Sequence, residues 1–112
     1  MSAANYDLVI DQGSTFAIDL AIKESGSAKD LTGYSARAQM RPTKTSSTVA
    51  GTFTCTIVNA SGGTLKVELP ATTSSAMEAG MYFYDLEVHT GSDAIVKRLL
   101  EGKVTLNQEV TR

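Results

Sequence analysis

The chain has 112 residues, of which 42% are hydrophobic and 20% charged, with a net charge of −2. That is one domain with room for a single two-layer core, and it has no basic surplus to hold a phosphate backbone, so no nucleic-acid partner is expected. No apolar run approaches the roughly 20 residues of a spanning helix, and residues 1–7 show neither the basic start nor the apolar core of a secretory signal; the expectation is synthesis in the cytoplasm without a membrane partner.

In chain order, residues 6–10 form a short apolar-leaning run, which Asp11, Gln12, Gly13 and Ser14 break with turn residues. Residues 15–23 alternate cleanly, with Phe16, Ile18, Leu20 and Ile22 on one parity, the pattern of a half-buried strand. A polar tip over residues 24–30 leads to the next run, residues 34–41. There Tyr34, Ala36, Ala38 and Met40 face one way and Ser35, Arg37, Gln39 and Arg41 the other. Pro42 cannot donate to a ladder and ends this strand. Residues 43–49 are a polar loop.

Residues 52–58 carry Phe53, Cys55 and Ile57 on one parity, and residues 64–69 carry Leu65, Val67 and Leu69. The Gly-bearing stretch 59–63 joins them as a β-hairpin, which Pro70 closes. One short helical turn is expected near residues 72–79, where Ser75 and Glu78 have capping-box spacing. The central strand follows over residues 80–88. Tyr82, Tyr84, Leu86 and Val88 share its core parity, and Phe83, Asp85, Glu87 and His89 share the other. After a turn at residues 90–93, the run 94–106 changes parity near Leu99 and Leu100 and contains Gly102, which points to a bulge. Residues 106–112 read as a polar tail that frays or docks on a neighbour. Counting gives an all-β chain of about seven strands in one domain over residues 1–112, the pattern of an immunoglobulin-like antiparallel sandwich. Such folds place a corner tyrosine where Tyr82 falls.

No constellation carries chemistry. His89 is the only histidine and has no second ligand spaced near it, where a zinc site needs about four ligands and a general base needs an oriented partner. Cys55 is the single cysteine, so it has no disulfide partner within the chain, and it reads as a small buried hydrophobe among threonines. Asp85 and Glu87 lie on an outer sheet face, where they can pair across strands with Arg37 and Arg41 instead of sharing a cleft. Asn59, Ala60 and Ser61 match a glycosylation pattern that marks only an exposed turn. The expectation is therefore no enzyme, no metal and no cofactor. One feature exceeds the ordinary: Met81 and Phe83 lie opposite the core parity, beside a last strand carrying Leu99 and Leu100, and an outward apolar patch marks a contact surface. With Val110 in the tail, these are the candidate protein-contact residues.

Five phrases occur in register: Ile10-Asp11-Gln12-Gly13-Ser14-Thr15-Phe16; Asp30-Leu31-Thr32-Gly33-Tyr34-Ser35-Ala36-Arg37; Gln39-Met40-Arg41; Ala79-Gly80-Met81-Tyr82-Phe83-Tyr84-Asp85-Leu86; and Leu99-Leu100-Glu101-Gly102-Lys103-Val104 with Glu109-Val110-Thr111-Arg112. Together they resemble small tailed-bacteriophage virion proteins, including the Ig-like N-terminal domain of baseplate upper proteins. The resemblance implies a structural module of the virion, in the tail, baseplate or fibre-attachment region. It would contact other virion proteins and a homo-oligomer of itself, a trimer or hexamer. The proteins it resembles continue into further domains, so a chain of this length would act as a free-standing subunit. The alternatives are a head decoration (cement) protein and a host-surface carbohydrate-binding module.

Overall fold

The computed structural model describes residues 4–24, 26–92 and 94–110. Ser25 in the expected polar tip, Asp93 in the expected turn, and the tail residues Thr111 and Arg112 lie outside the described residues.

Among the described residues the chain is all-β with one short helix. Its strands are β1 (Ala4–Asn5), β2 (Leu8–Asp11), β3 (Phe16–Ala21), β4 (Lys23–Glu24), β5 (Ser27–Ala28), β6 (Ser35–Arg41), β7 (Gly51–Asn59), β8 (Thr64–Leu69), β9 (Gly80–His89) and β10 (Val96–Asn107), with α1 (Ala71–Ala76) between β8 and β9. The alternating runs of the sequence correspond to β2, β3, β6, β7, β8, β9 and β10. One ladder joins nearly all of them in the order β1-β10-β9-β6-β7-β8-β3, with β2 also parallel to β10, and it curls into a half-barrel. β7 makes the curl. Its first residues, Gly51 to Phe53, pair with β6, while Thr54 to Asn59 pair with β8.

The predicted parity decides what lies inside. Leu65, Val67 and Leu69 of β8 and Tyr82, Tyr84, Leu86 and Val88 of β9 are buried. Each aliphatic side chain of this kind contributes about 1.5–3 kcal/mol when fully covered. The rings of Phe16, Phe53 and Tyr84 step across the interior from β3 through β7 to β9, at centroid separations of 6.3 and 6.1 Å. Such tilted and edge-on contacts suit the ring quadrupoles.

Two core tyrosines anchor backbone of other segments. The Tyr82 hydroxyl donates to the Glu78 carbonyl, and the Tyr84 hydroxyl donates to the Tyr6 carbonyl. Burial pushes the Tyr84 phenol up to about 12, with Tyr6 and Asp7 adding to the effect; burial and then Glu78 push Tyr82 up as well.

The helix departs from its predicted position. It occupies Ala71–Ala76 and not 72–79, it begins after Pro70, and no side chain caps its start. The capping box does not form, because Ser75 sits in the last turn, where its hydroxyl donates to the Thr72 carbonyl. Proline supplies a preset φ at the helix start, which makes that boundary local. The fully buried Ser74 does the tying: its Oγ accepts from the Gly13 N–H at 3.1 Å and donates to the Ser14 carbonyl at 2.9 Å.

The bulge in β10 lies between Arg98 and Leu100, where the register against β9 shifts. Gly102 has a different role. A side chain there would strike the Tyr6 carbonyl, so the glycine lets the first segment lie close on β10. The tail docks on its own chain through Asn107, Gln108 and Glu109. Asn107 pairs with Asp11, and the Gln12 side chain accepts from the Glu109 N–H at 2.9 Å and from the Gln108 amide at 3.1 Å.

Candidate protein-contact face

Residues of β2, β10, β9 and β6 that point away from the core stand in rows set by the register. Val9 faces Thr105, which faces Met81; Lys103 faces Phe83, which faces Arg41; Glu101 faces Asp85, which faces Gln39; and Glu87 lies between Arg98 and Arg37. The first row is apolar at both ends, with Val9 64% and Met81 54% exposed. Thr105 links them, its hydroxyl 3.4 Å from the Met81 sulfur.

The next rows are charged around one ring. The Lys44 ammonium stands 6.0 Å from the Phe83 ring centroid, a cation–π distance. The Arg41 guanidinium donates to the Ser46 carbonyl at 2.9 Å and to Gln39 Oε1 at 3.1 Å. Arg98 lies 3.2 Å from Asp85 and 3.6 Å from Glu101, and Arg37 pairs with Glu87. Arg41, Lys44, Phe83, Asp85, Arg98 and Glu101 line a shallow concavity. The expected cross-strand pairing is thus found for Arg37 with Glu87, whereas Asp85 is taken by Arg98, a residue the sequence reading did not assign. Arg41 turns to neutral acceptors instead.

The contact residues expected from the sequence separate here. Met81 lies open on the face, Val110 is 88% exposed beyond β10, and Phe83 is half-covered. Leu100 packs against the core from a partly buried position. Leu99 is no contact residue: it is 5% exposed and belongs to the core. The physical cause is the bulge, which inserts one extra residue and turns Leu99 inward at a position that strict alternation assigns outward. Val9 was missed. Its parity opposite Leu8 and Ile10 could have revealed it, but only the register places it beside Thr105 and Met81.

The groups weighed for chemistry lie elsewhere. Cys55 is half-buried on the inner side of β7, and burial pushes its thiol up to about 11, away from the reactive thiolate. His89 ends β9, with Nδ1 3.1 Å from the Thr90 carbonyl. Among the described residues, no three of the His, Cys, Asp and Glu side chains are grouped to hold a metal ion, and no helix is long and apolar enough to cross a membrane. The Asn59 side chain is engaged within its turn, accepting from Ser61 and from the Gly62 N–H at 3.2 Å each.

No family model and no curated protein matches the chain. Among solved structures it is similar to a family 123 glycoside hydrolase from Clostridium perfringens, at 10% identity and a TM-score of 0.44, over 97% of this chain and 24% of that one. The chain therefore spans about a quarter of that protein's length. At this level of superposition the likeness carries neither activity nor substrate across.

Proposed function

We propose that the chain is a bacteriophage virion structural protein, an assembly module of the tail, baseplate or fibre-attachment region, folded as an Ig-like β-sandwich. The five sequence phrases support the family. The switch of β7, which pairs with β6 through its first residues and with β8 through the rest, supports the fold, since a strand shared in this way would link the two layers of a sandwich. The Tyr82 hydroxyl, bonded to the carbonyl four residues upstream, has the form of the tyrosine corner of such folds.

The observation that carries the function is the exposed Val9–Thr105–Met81 row beside the Phe83 concavity. The row is apolar at both ends, with the charged rows to one side of it, on a sheet whose buried polar side chains, among the described residues, are all satisfied. A face that sets exposed apolar side chains beside charged ones is suited to contact with a protein partner. A sugar platform needs an open ring, and Lys44 stands over Phe83.

The test is direct. Purified phage particles bearing this chain are analysed by mass spectrometry, and the chain is then located by labelled antibody in electron micrographs. Label at the tail or baseplate is the expected result. Label on the capsid would make it a head decoration protein, and absence from the particle would overturn the reading. Light scattering of the isolated chain is expected to give a trimer or hexamer.

A further inference from the structure

Strand β3 ends the ladder, and its free side bears the marks of a pairing surface. β8 takes one side of it over all six residues, from Phe16 opposite Leu69 to Ala21 opposite Thr64. Among the described residues, nothing hydrogen-bonds the backbone of Phe16–Ala21 from the other side. The inner row is also incompletely covered: Phe16, Ile18 and Leu20 are only partly buried, whereas their partners Leu69, Val67 and Leu65 are 0–3% exposed. The strand has no proline, no bulge and no lysine to blunt it; its outward residues are Ala17, Asp19 and Ala21. Open edges of this kind are normally protected, and one left flat and apolar pairs with another strand.

We propose that β3 pairs antiparallel with β3 of a second copy of this chain, across a two-fold axis at Ile18. Side chains opposite each other in an antiparallel pair lie on the same face, so only registers that match parity keep both apolar rows inside. The register centred on Ile18 sets Phe16 against Leu20, Ile18 against Ile18, and Ala17 against Asp19, using five of the six residues of β3 and setting Ala21 against Thr15. Centring on Asp19 would bring two carboxylates directly opposite, which is repulsive. Centring on Ala17 would draw Ser14 and Thr15 into the ladder and leave Leu20 without an apolar partner. The self-complementary fit identifies the occupant as a second copy, since a two-fold contact uses the same patch on both sides. This inference rests on the assembly reading and narrows it, because a two-fold at β3 pairs the chains two by two, which a hexamer allows and a trimer does not.

Site-specific cross-linking tests it, in a Cys55→Ala background so that the introduced thiol is alone. Ile18→Cys is expected to give a covalent dimer on mild oxidation. An equimolar mixture of Ala17→Cys and Asp19→Cys chains is expected to give the mixed dimer in excess over either homodimer, a readout that leaves Ile18 in place. The Ile18→Lys variant, with its fold checked by circular dichroism, is expected to halve the solution mass. Cross-linking through Asp19→Cys alone, no cross-linking at any of the three sites, or an unchanged mass for Ile18→Lys would overturn the proposal. Failure here with the chain still found in particles would leave the assembly reading standing. A β3 dimer from a chain absent from particles would do the reverse.

Discussion

The Tyr84 hydroxyl donates to the carbonyl of Tyr6, 78 residues earlier in the chain, and so fastens the first segment to the middle of the core. Tyr6 lies between β1 and β2, where the chain crosses over Gly102, and its N–H donates to the Glu101 carbonyl at 2.9 Å. Tyr84→Phe removes one hydroxyl and leaves a partly buried carbonyl unmet. The expected cost is about 1–2 kcal/mol in urea unfolding. An unchanged midpoint would mean that water replaces the hydroxyl without loss.

The same tyrosine sets an alkaline limit. Its phenol loses a proton near 12 in the folded chain, against about 10 when unfolded. Between those values the folded state holds one more proton than the unfolded state, so stability falls as pH rises through that window and is flat below it. Tyr82, shifted in the same direction, adds to the slope. Thermal melts from pH 8 to 11.5 should show the decline, and Tyr84→Phe should make it shallower.

Arg37 and Glu87 stand opposite on β6 and β9 with partly exposed side chains. Exposed pairs are worth little, so a double-mutant cycle with Arg37→Ala and Glu87→Ala should give a coupling of about 0.2–1 kcal/mol that shrinks in 0.5 M salt. A larger, salt-independent coupling would show the pair to be structural.

Gly63 closes the β7–β8 turn with φ +71, and a Cβ there would press on the carbonyls of Ile22 and Lys29. Both the backbone region and the space exclude a side chain. Gly63→Ala should destabilise by about 1–3 kcal/mol, whereas Gly91→Ala, with open space around it, should be close to neutral.

Cys55 should behave as packing, not as a nucleophile. With its thiol pushed up to about 11, alkylation at pH 8 should be slow in the native chain and complete after denaturation. Fast native labelling would place the sulfur in water.

Met81 and Val9 should separate assembly from folding. Met81→Asp and Val9→Asp replace exposed side chains and should change the melting temperature by no more than the equivalent of about 0.5 kcal/mol. If their row is a contact surface, each should lower the oligomer mass measured by light scattering; wild-type mass in both would remove the row from the interface.

Much of this was legible along the chain because side chains alternate with a period of two. Tyr82, Tyr84, Leu86 and Val88 declare one face of β9 whatever lies beside it, and Pro42 and Pro70 end strands through their own missing N–H. By itself the sequence therefore determined an all-β chain, its seven alternating runs and their inner faces, and an outward Arg37, Asp85 and Glu87. The tertiary structure decided which strands are neighbours and in what register. It set Val9 beside Thr105 and Met81, gave Asp85 to Arg98, turned Leu99 inward at the bulge, spent Ser74 and Gln12 on distant backbone, and left one edge of β3 open. Alternation is a local property of each run, whereas register and edge exposure follow from closing one curled ladder over a shared core, and no single run contains that information.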